Sequence, residues 1–100
     1  MTAPLRISFA VSAALDLEEL LAYYAAQQVP AVGTRLLGEI LDRIEALGSH
    51  PDLGRVVPEF GRENLRELIH SPFRIVYRRD RTRVRIVRVW RSERLLKLPG

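Results

Sequence analysis

The sequence predicts an α+β domain in which a helical hairpin lies on one face of a small, mostly antiparallel sheet, in the order β-α-α-β-β-β. Three observations predict it. Residues 13–47 carry two apolar stripes at helical spacing, interrupted by Pro30. The second half of the chain alternates apolar and charged residues in runs separated by polar turns, the pattern of half-buried strands. The 100 residues suit one compact core, so a single domain is expected over residues 1–100.

The elements follow in chain order. Leu5 to Phe9 (LRISF) reads as a short strand with Leu5, Ile7 and Phe9 apolar. Ser12 stands where an N-cap accepts a bond from the first free amides of a helix. In AALDLEELLAYYAAQQ, Leu17, Leu20, Leu21 and Tyr24 fall at i, i+3, i+4 and i+7, one helical face. Asp16, Glu18 and Glu19 lie in the early turns, where carboxylates suit the positive end of the helix dipole. Pro30 ends this helix and opens a second from Ala31 to Leu47, with a stripe of Leu37, Ile40, Leu41, Ile44 and Leu47. Gly48 is placed to cap it, and Pro51 stops it. So short a link makes the two helices an antiparallel hairpin. Residues 49–64 read as loop. Strands resume at Leu65–Ile69, Phe73–Arg79 and Arg83–Trp90, with Asp80-Arg81-Thr82 as the turn between the last two.

Charge is divided unevenly. Residues 1–50 hold three basic and six acidic side chains, whereas residues 51–100 hold thirteen basic and six acidic. That asymmetry predicts a basic surface facing an anionic partner. Strand parity sorts the arginines. Phe73, Ile75 and Tyr77 share one face of their strand, and Arg74, Val76 and Arg78 share the other. In the last strand Val84 and Ile86 share parity with Arg88 and Trp90, so neither face is apolar unless a bulge changes the phase halfway. One face should be buried beneath the helices. The other should be shallow and half-apolar, with arginine beside exposed valine, tyrosine and tryptophan, a composition of interaction surfaces. The plainer reading is a solvated face on which arginine stems cover apolar sheet. On either reading Arg74 is at least half-exposed, and Arg74→Ala should change stability by roughly ±0.5 kcal/mol or less.

Composition excludes several chemistries. With no cysteine there are no disulfides or thiolate metal sites, which suits a reducing cytoplasm. No apolar run reaches the ~20 residues of a membrane span, and MTAPLRISFAVS lacks the layout of a secretory signal. His50 and His70 lie in loop-like contexts without a nearby acidic cluster, so neither a metal nor a cofactor is expected. GRVVPEFG lacks the spacing and the Lys-Ser/Thr pair of a phosphate loop. Cleavage of RNA through its own 2′-hydroxyl needs a base, an acid and cations. Arg55, Arg66, Arg74 and Arg91 supply cations for such a step, and Glu59, Glu63 or Tyr77 supply proton carriers.

Three stretches resemble a known family. SAALDLEELLAYYA, a second helix ending LGSHPDLGRVVPEF, and LRELIHSPFRIVYRRDRTRVRIVRVWRSERLL are together similar to ParE-like toxins of the RelE/ParE superfamily, from about Ile7 to Leu95. The most specific portions are P-x-x-G-R-x-V-P-E at Pro51 to Glu59 and the R-E-L-I and F-R-I-V-Y segments between Arg66 and Tyr77. The resemblance implies a RelE/ParE-like fold and a cytoplasmic toxin of a type II toxin–antitoxin system. It also implies a cognate ParD-like antitoxin, held in a hetero-oligomeric complex. ParE-like members inhibit DNA gyrase without being enzymes, whereas RelE-like members cut messenger RNA in the ribosome. The absence of Tyr and His from RSERLLKLPG favours the ParE-like branch, with no catalytic residue; the alternatives are a RelE-like endonuclease and a non-toxic partner-binding member. In place of the V-x-H-x-x-R that many relatives carry after the last strand, this chain has Trp90-Arg91 followed by Arg94. The expected target surface is Arg74, Arg78, Arg88, Trp90, Arg91 and Arg94. The expected antitoxin surface is Leu21, Tyr24, Arg55, Arg66, Arg74 and Tyr77.

Overall fold

The computed structural model describes residues 3–91. Seven elements follow one another: β1 (Arg6–Phe9), α1 (Val11–Ala26), α2 (Pro30–Ala46), β2 (Arg55–Val56), β3 (Leu65–His70), β4 (Phe73–Arg79) and β5 (Arg83–Arg91). The strands form one sheet in the order β1-β5-β4-β3-β2. Only the β1–β5 pairing is parallel; the others are antiparallel. The two-residue β2, read from sequence as loop, is too short to show an alternating pattern.

The core fills the space between the helices and one sheet face. Leu20, Leu36, Ile40, Ile44 and Leu47 meet Leu68, Phe73, Ile75, Tyr77, Val84, Ile86 and Val89. Burying each large aliphatic side chain contributes about 1.5–3 kcal/mol. The helices also pack on each other, and Gly33 of α2 permits it, because a Cβ there would stand 3.1 Å from Tyr24 Cβ. The predicted stripes are correct in part: Leu21 and Leu41 remain exposed, and α1 turns Ala13, Asp16 and Leu20 inward instead.

Three local expectations change for tertiary reasons. The α1 N-cap is Ala10, with no side-chain capping bond. Ser12 lies within the helix, and its hydroxyl donates to Val87 O at 2.7 Å. Asp16 does not serve the helix dipole; it is buried against β5. Gly48 follows the C-cap Leu47, and its carbonyl accepts from Leu5 N at 2.8 Å.

The last strand contains a bulge, one resolution of its conflict of parity. Val76 faces Arg88 while Tyr77 faces Ile86, so Val87 has no counterpart on β4. Before this residue Val84 and Ile86 face the helices; after it Val89 does so, and all three are buried. The same shift puts Arg83, Arg85, Arg88 and Trp90 on the opposite, open face. Without the extra residue, every side chain beyond it would change sides.

Candidate functional site

The open face is not the half-apolar surface expected from sequence. Val76 is fully buried there beneath Val57 and Leu65, part of a second small core made by the segment after β2. Tyr77 is completely buried on the helix side and Trp90 is 9% exposed. What remains for solvent on this face is mainly arginine.

At the β2–β3–β4 end the arginines close on a buried carboxylate. Glu67 is 1% exposed. Arg55 Nε donates to its Oε2 at 2.7 Å, and Arg74 Nε to its Oε1 at 2.8 Å. Arg74 Nη2 also contacts Oε1 of Glu67. Arg74 then extends to Glu59, donating from Nη1 and Nη2 at 3.2 and 3.3 Å. These bonds hold the Glu59 carboxyl below its usual value. The register explains the meeting: Arg55 lies directly opposite Glu67 across β2–β3, and Arg74 is two residues along β4 from Val76, the residue opposite Glu67.

The P-x-x-G-R-x-V-P-E segment supplies the other half of this assembly. The Tyr77 hydroxyl donates to Pro51 O at 2.8 Å and accepts from Gly54 N at 2.9 Å. Burial pushes the Tyr77 hydroxyl pKa up. Arg66 Nη1 donates to Gly54 O at 2.9 Å. Gly54 must lack a side chain, since a Cβ would lie 2.6 Å from Glu67 O and 2.7 Å from the Tyr77 ring. Arg55, Val57 and Glu59 complete the set as ion pair, core residue and ion pair. Each fixed position of the motif except Pro58 therefore has a contact in β3 or β4.

A second polar assembly lies where α1 meets the end of β5. Asp16 is buried at 8% exposure and accepts from Arg88 Nε and Nη2, each at 2.8 Å. Val89 N also donates to it at 2.8 Å. With Ser12 on Val87 O, α1 thus closes the β5 edge beyond Phe9, the last residue of β1 that pairs with it. The Arg88 guanidinium lies 4.4 Å from the Trp90 ring centroid. Arg91 lies 4.8 Å from Tyr23 and 5.7 Å from Phe73, and its Nη1 donates to the Tyr24 hydroxyl at 3.2 Å. Asp16, Glu19, Leu20, Tyr23, Trp90 and Arg91 are among the walls of a cleft of about 380 Å³ here.

The expected target residues therefore separate. Arg88, Trp90 and Arg91 are brought together at the strand end; Arg74 is drawn into the Glu67 assembly; Arg78 stands apart and exposed. Arg94 lies outside the described residues. Arg74 is not a free surface cation, because its side chain is only 11% exposed and both acidic neighbours bind it. Among the expected antitoxin residues, Leu21 and Arg55 are exposed and Tyr24 and Arg66 half-buried. Tyr77 is corrected from surface to core, because its hydroxyl is consumed by the Pro51–Gly54 turn. Sequence reasoning missed Asp16 and Glu67 as the two organising acids. Their signal was an acidic residue at a position whose neighbours in the period are apolar.

Among the described residues no group of three or more His, Asp or Glu is placed to hold a metal ion. No described helix is long and apolar enough to cross a membrane. The family model for the ParE toxin of the type II toxin–antitoxin system parDE matches residues 7–96. No curated protein sequence matches the chain. Among solved structures, the chromosomal ParDE toxin–antitoxin system of P. aeruginosa aligns with a TM-score of 0.74 at 20% identity, over 90% of this chain and 98% of that one. The toxin–antitoxin complex RelBE2 of Mycobacterium tuberculosis aligns with a TM-score of 0.65 at 23% identity, over 88% of this chain and 98% of that one.

Proposed function

The chain belongs to the ParE toxin family of type II toxin–antitoxin systems, and from that membership we propose that it acts in the cytoplasm by binding and inhibiting DNA gyrase, without catalysis. The observation that carries this reading is the state of Arg74, Glu67, Glu59 and Tyr77. Of the groups that RNA cleavage would use, Arg74 and Glu59 are held by each other or by Glu67, and Tyr77 by backbone, at 3.3 Å or less. A base or acid already committed to a buried partner is poorly placed to exchange protons with a bound substrate.

The strand-end cleft is then the part that meets the target. Arg91 and the exposed Tyr23 present guanidinium and aromatic groups together over the buried Trp90, the residue types that dominate interface energetics. Arg94, three residues after Arg91 in the sequence, is proposed to contribute to the same target surface, whereas Arg78 stands apart from the cleft. The partner that neutralises the chain is a ParD-like antitoxin, in a hetero-oligomeric complex. Its helix can use Leu21 and Leu41 as apolar contacts, both exposed on the helical hairpin. An extended acidic segment can continue towards Arg55 and Arg66 beside the outer strand β2.

The test is purified protein assayed against gyrase supercoiling and, separately, against translating ribosomes. Inhibition of supercoiling that is lost in Arg91→Ala and Arg94→Ala, with antitoxin binding retained, is the expected result. Ribosome-dependent cleavage of messages with normal gyrase activity would replace this reading with the endonuclease one.

A further inference from the structure

The far end of the open face carries arginines that neither assembly uses. Arg6 of β1 lies directly opposite Arg83 of β5, and Arg85 directly opposite Arg78 of β4. These are two like-charge cross-strand pairs side by side, an arrangement that destabilises a sheet. Arg6, Arg78 and Arg85 have no acidic partner among the described residues, and Arg83 has only an exposed 3.4 Å contact to Asp80. Among the described residues the Arg85 guanidinium reaches only the Ser8 hydroxyl, at 3.4 Å. All four arginines are exposed. Register places the Cβ atoms about 5 Å apart across strands and about 6.6 Å apart along β5.

We propose that Arg6, Arg78, Arg83 and Arg85 form a flat site for the phosphate backbone of a nucleic-acid duplex, distinct from the strand-end cleft. Charge complementarity requires a polyanion. Two further observations favour a duplex. The aromatic and apolar neighbours of these arginines, Phe9, Tyr77, Val84 and Ile86, alternate onto the helix face, and Trp90 of the open face lies buried at the other end of β5, so the surface around the four arginines offers no aromatic platform for unpaired bases. Tyr77, Val84 and Ile86, which alternate with these arginines, are fully buried, so an acidic peptide would find no apolar anchor in them. A rigid duplex instead presents regularly spaced phosphates to a flat surface without needing a pocket. This site needs no gyrase, so it stands or falls separately from the target proposed above.

The experiment is fluorescence anisotropy of the purified chain with a labelled random-sequence duplex of about 20 base pairs over a salt series. Four phosphate contacts give a log–log slope of about −3.6, which is a loss of about 150-fold in affinity between about 50 and about 200 mM salt. The exposed double variant Arg78→Gln/Arg85→Gln should halve the slope, leaving a loss of about twelvefold over the same range. Arg6→Gln/Arg83→Gln should behave alike, and circular dichroism should show both variants folded. A slope unchanged in both folded variants would overturn the site. So would competition by a polyglutamate peptide of equal charge that is stronger than competition by unlabelled duplex.

Discussion

Two ends of one sheet face hold the same residue type in opposite circumstances. Around Glu67, Arg55 and Arg74 converge on a carboxylate that solvent does not reach, and Glu59 closes the set from outside. Around Arg85, the neighbours across the strands are Ser8 and Arg78, and no acid stands in that row. The difference lies in what the adjacent strand supplies, not in the arginines. β3 brings Glu67 to the centre of its row, whereas β1 brings Arg6 and Ser8. Guanidinium groups at the first end are structural, and those at the second are available to a partner.

The sharpest way to break the comparison is to remove one arginine from each end. Arg74→Ala leaves the Glu67 carboxylate buried with Arg55 as its remaining cation. Stripping one partner from a buried pair costs about 3–5 kcal/mol, so a loss of about 3 kcal/mol is expected in urea unfolding. Arg78→Ala should change stability by about 0.5 kcal/mol or less. Equal effects would mean that the two ends are alike.

Asp16→Ala extends the contrast to the second buried acid. It orphans the Val89 amide and deprives Arg88 of both its hydrogen bonds, so a loss of about 2 kcal/mol is expected by the same measurement. Because Asp16 also seals the β5 edge, the variant should exchange the Val89 amide proton faster. Unchanged protection at Val89 would show that the helix, not this carboxylate, closes the edge.

A smaller effect distinguishes the exposed acid from the buried one. The Glu59 carboxyl is held below its usual 4.5, chiefly by its hydrogen bonds to Arg74. A depressed carboxylate contributes stability that is complete above its unfolded value and lost as pH falls through the folded value. Stability should therefore begin to fall below about pH 4.5, and Glu59→Gln should make that decline shallower. An identical acid limb in the variant would show that Glu59 adds nothing to the assembly.

The smallest expected effect has the opposite sign. Arg78→Gln relieves one like-charge pair and should raise stability by a few tenths of a kcal/mol at low salt, an advantage that fades as salt screens the charges. A loss of stability would mean that the Arg78 stem contributes packing that outweighs the repulsion.

Much of the architecture was legible in the sequence. The helical hairpin, the three long strands and the sides taken by Phe73, Ile75 and Tyr77 follow from periodicity, because burial of apolar stripes drives both kinds of element. The conflict of parity within β5 already offered a bulge as one resolution, and the structure puts it at Val87. Of the candidate site, Arg88, Trp90 and Arg91 do meet at the strand end. Arg74 and Tyr77 were misread as surface for a common reason: their partners are remote in sequence. Glu59 and Glu67 lie 15 and 7 residues from Arg74, and Pro51 lies 26 from Tyr77.

What the sequence determined by itself was local: which residues alternate, where proline and glycine interrupt, and how unevenly charge divides between the halves. What only the tertiary structure decided was which charges are spent. Asp16 and Arg88 are 72 residues apart, and nothing in the neighbourhood of either names the other. Periodicity reports the direction a side chain leaves the backbone, which is a property of a few consecutive residues. The neutralisation of a charge depends on what arrives from elsewhere, and that is set by register between distant strands and by the helix laid across them.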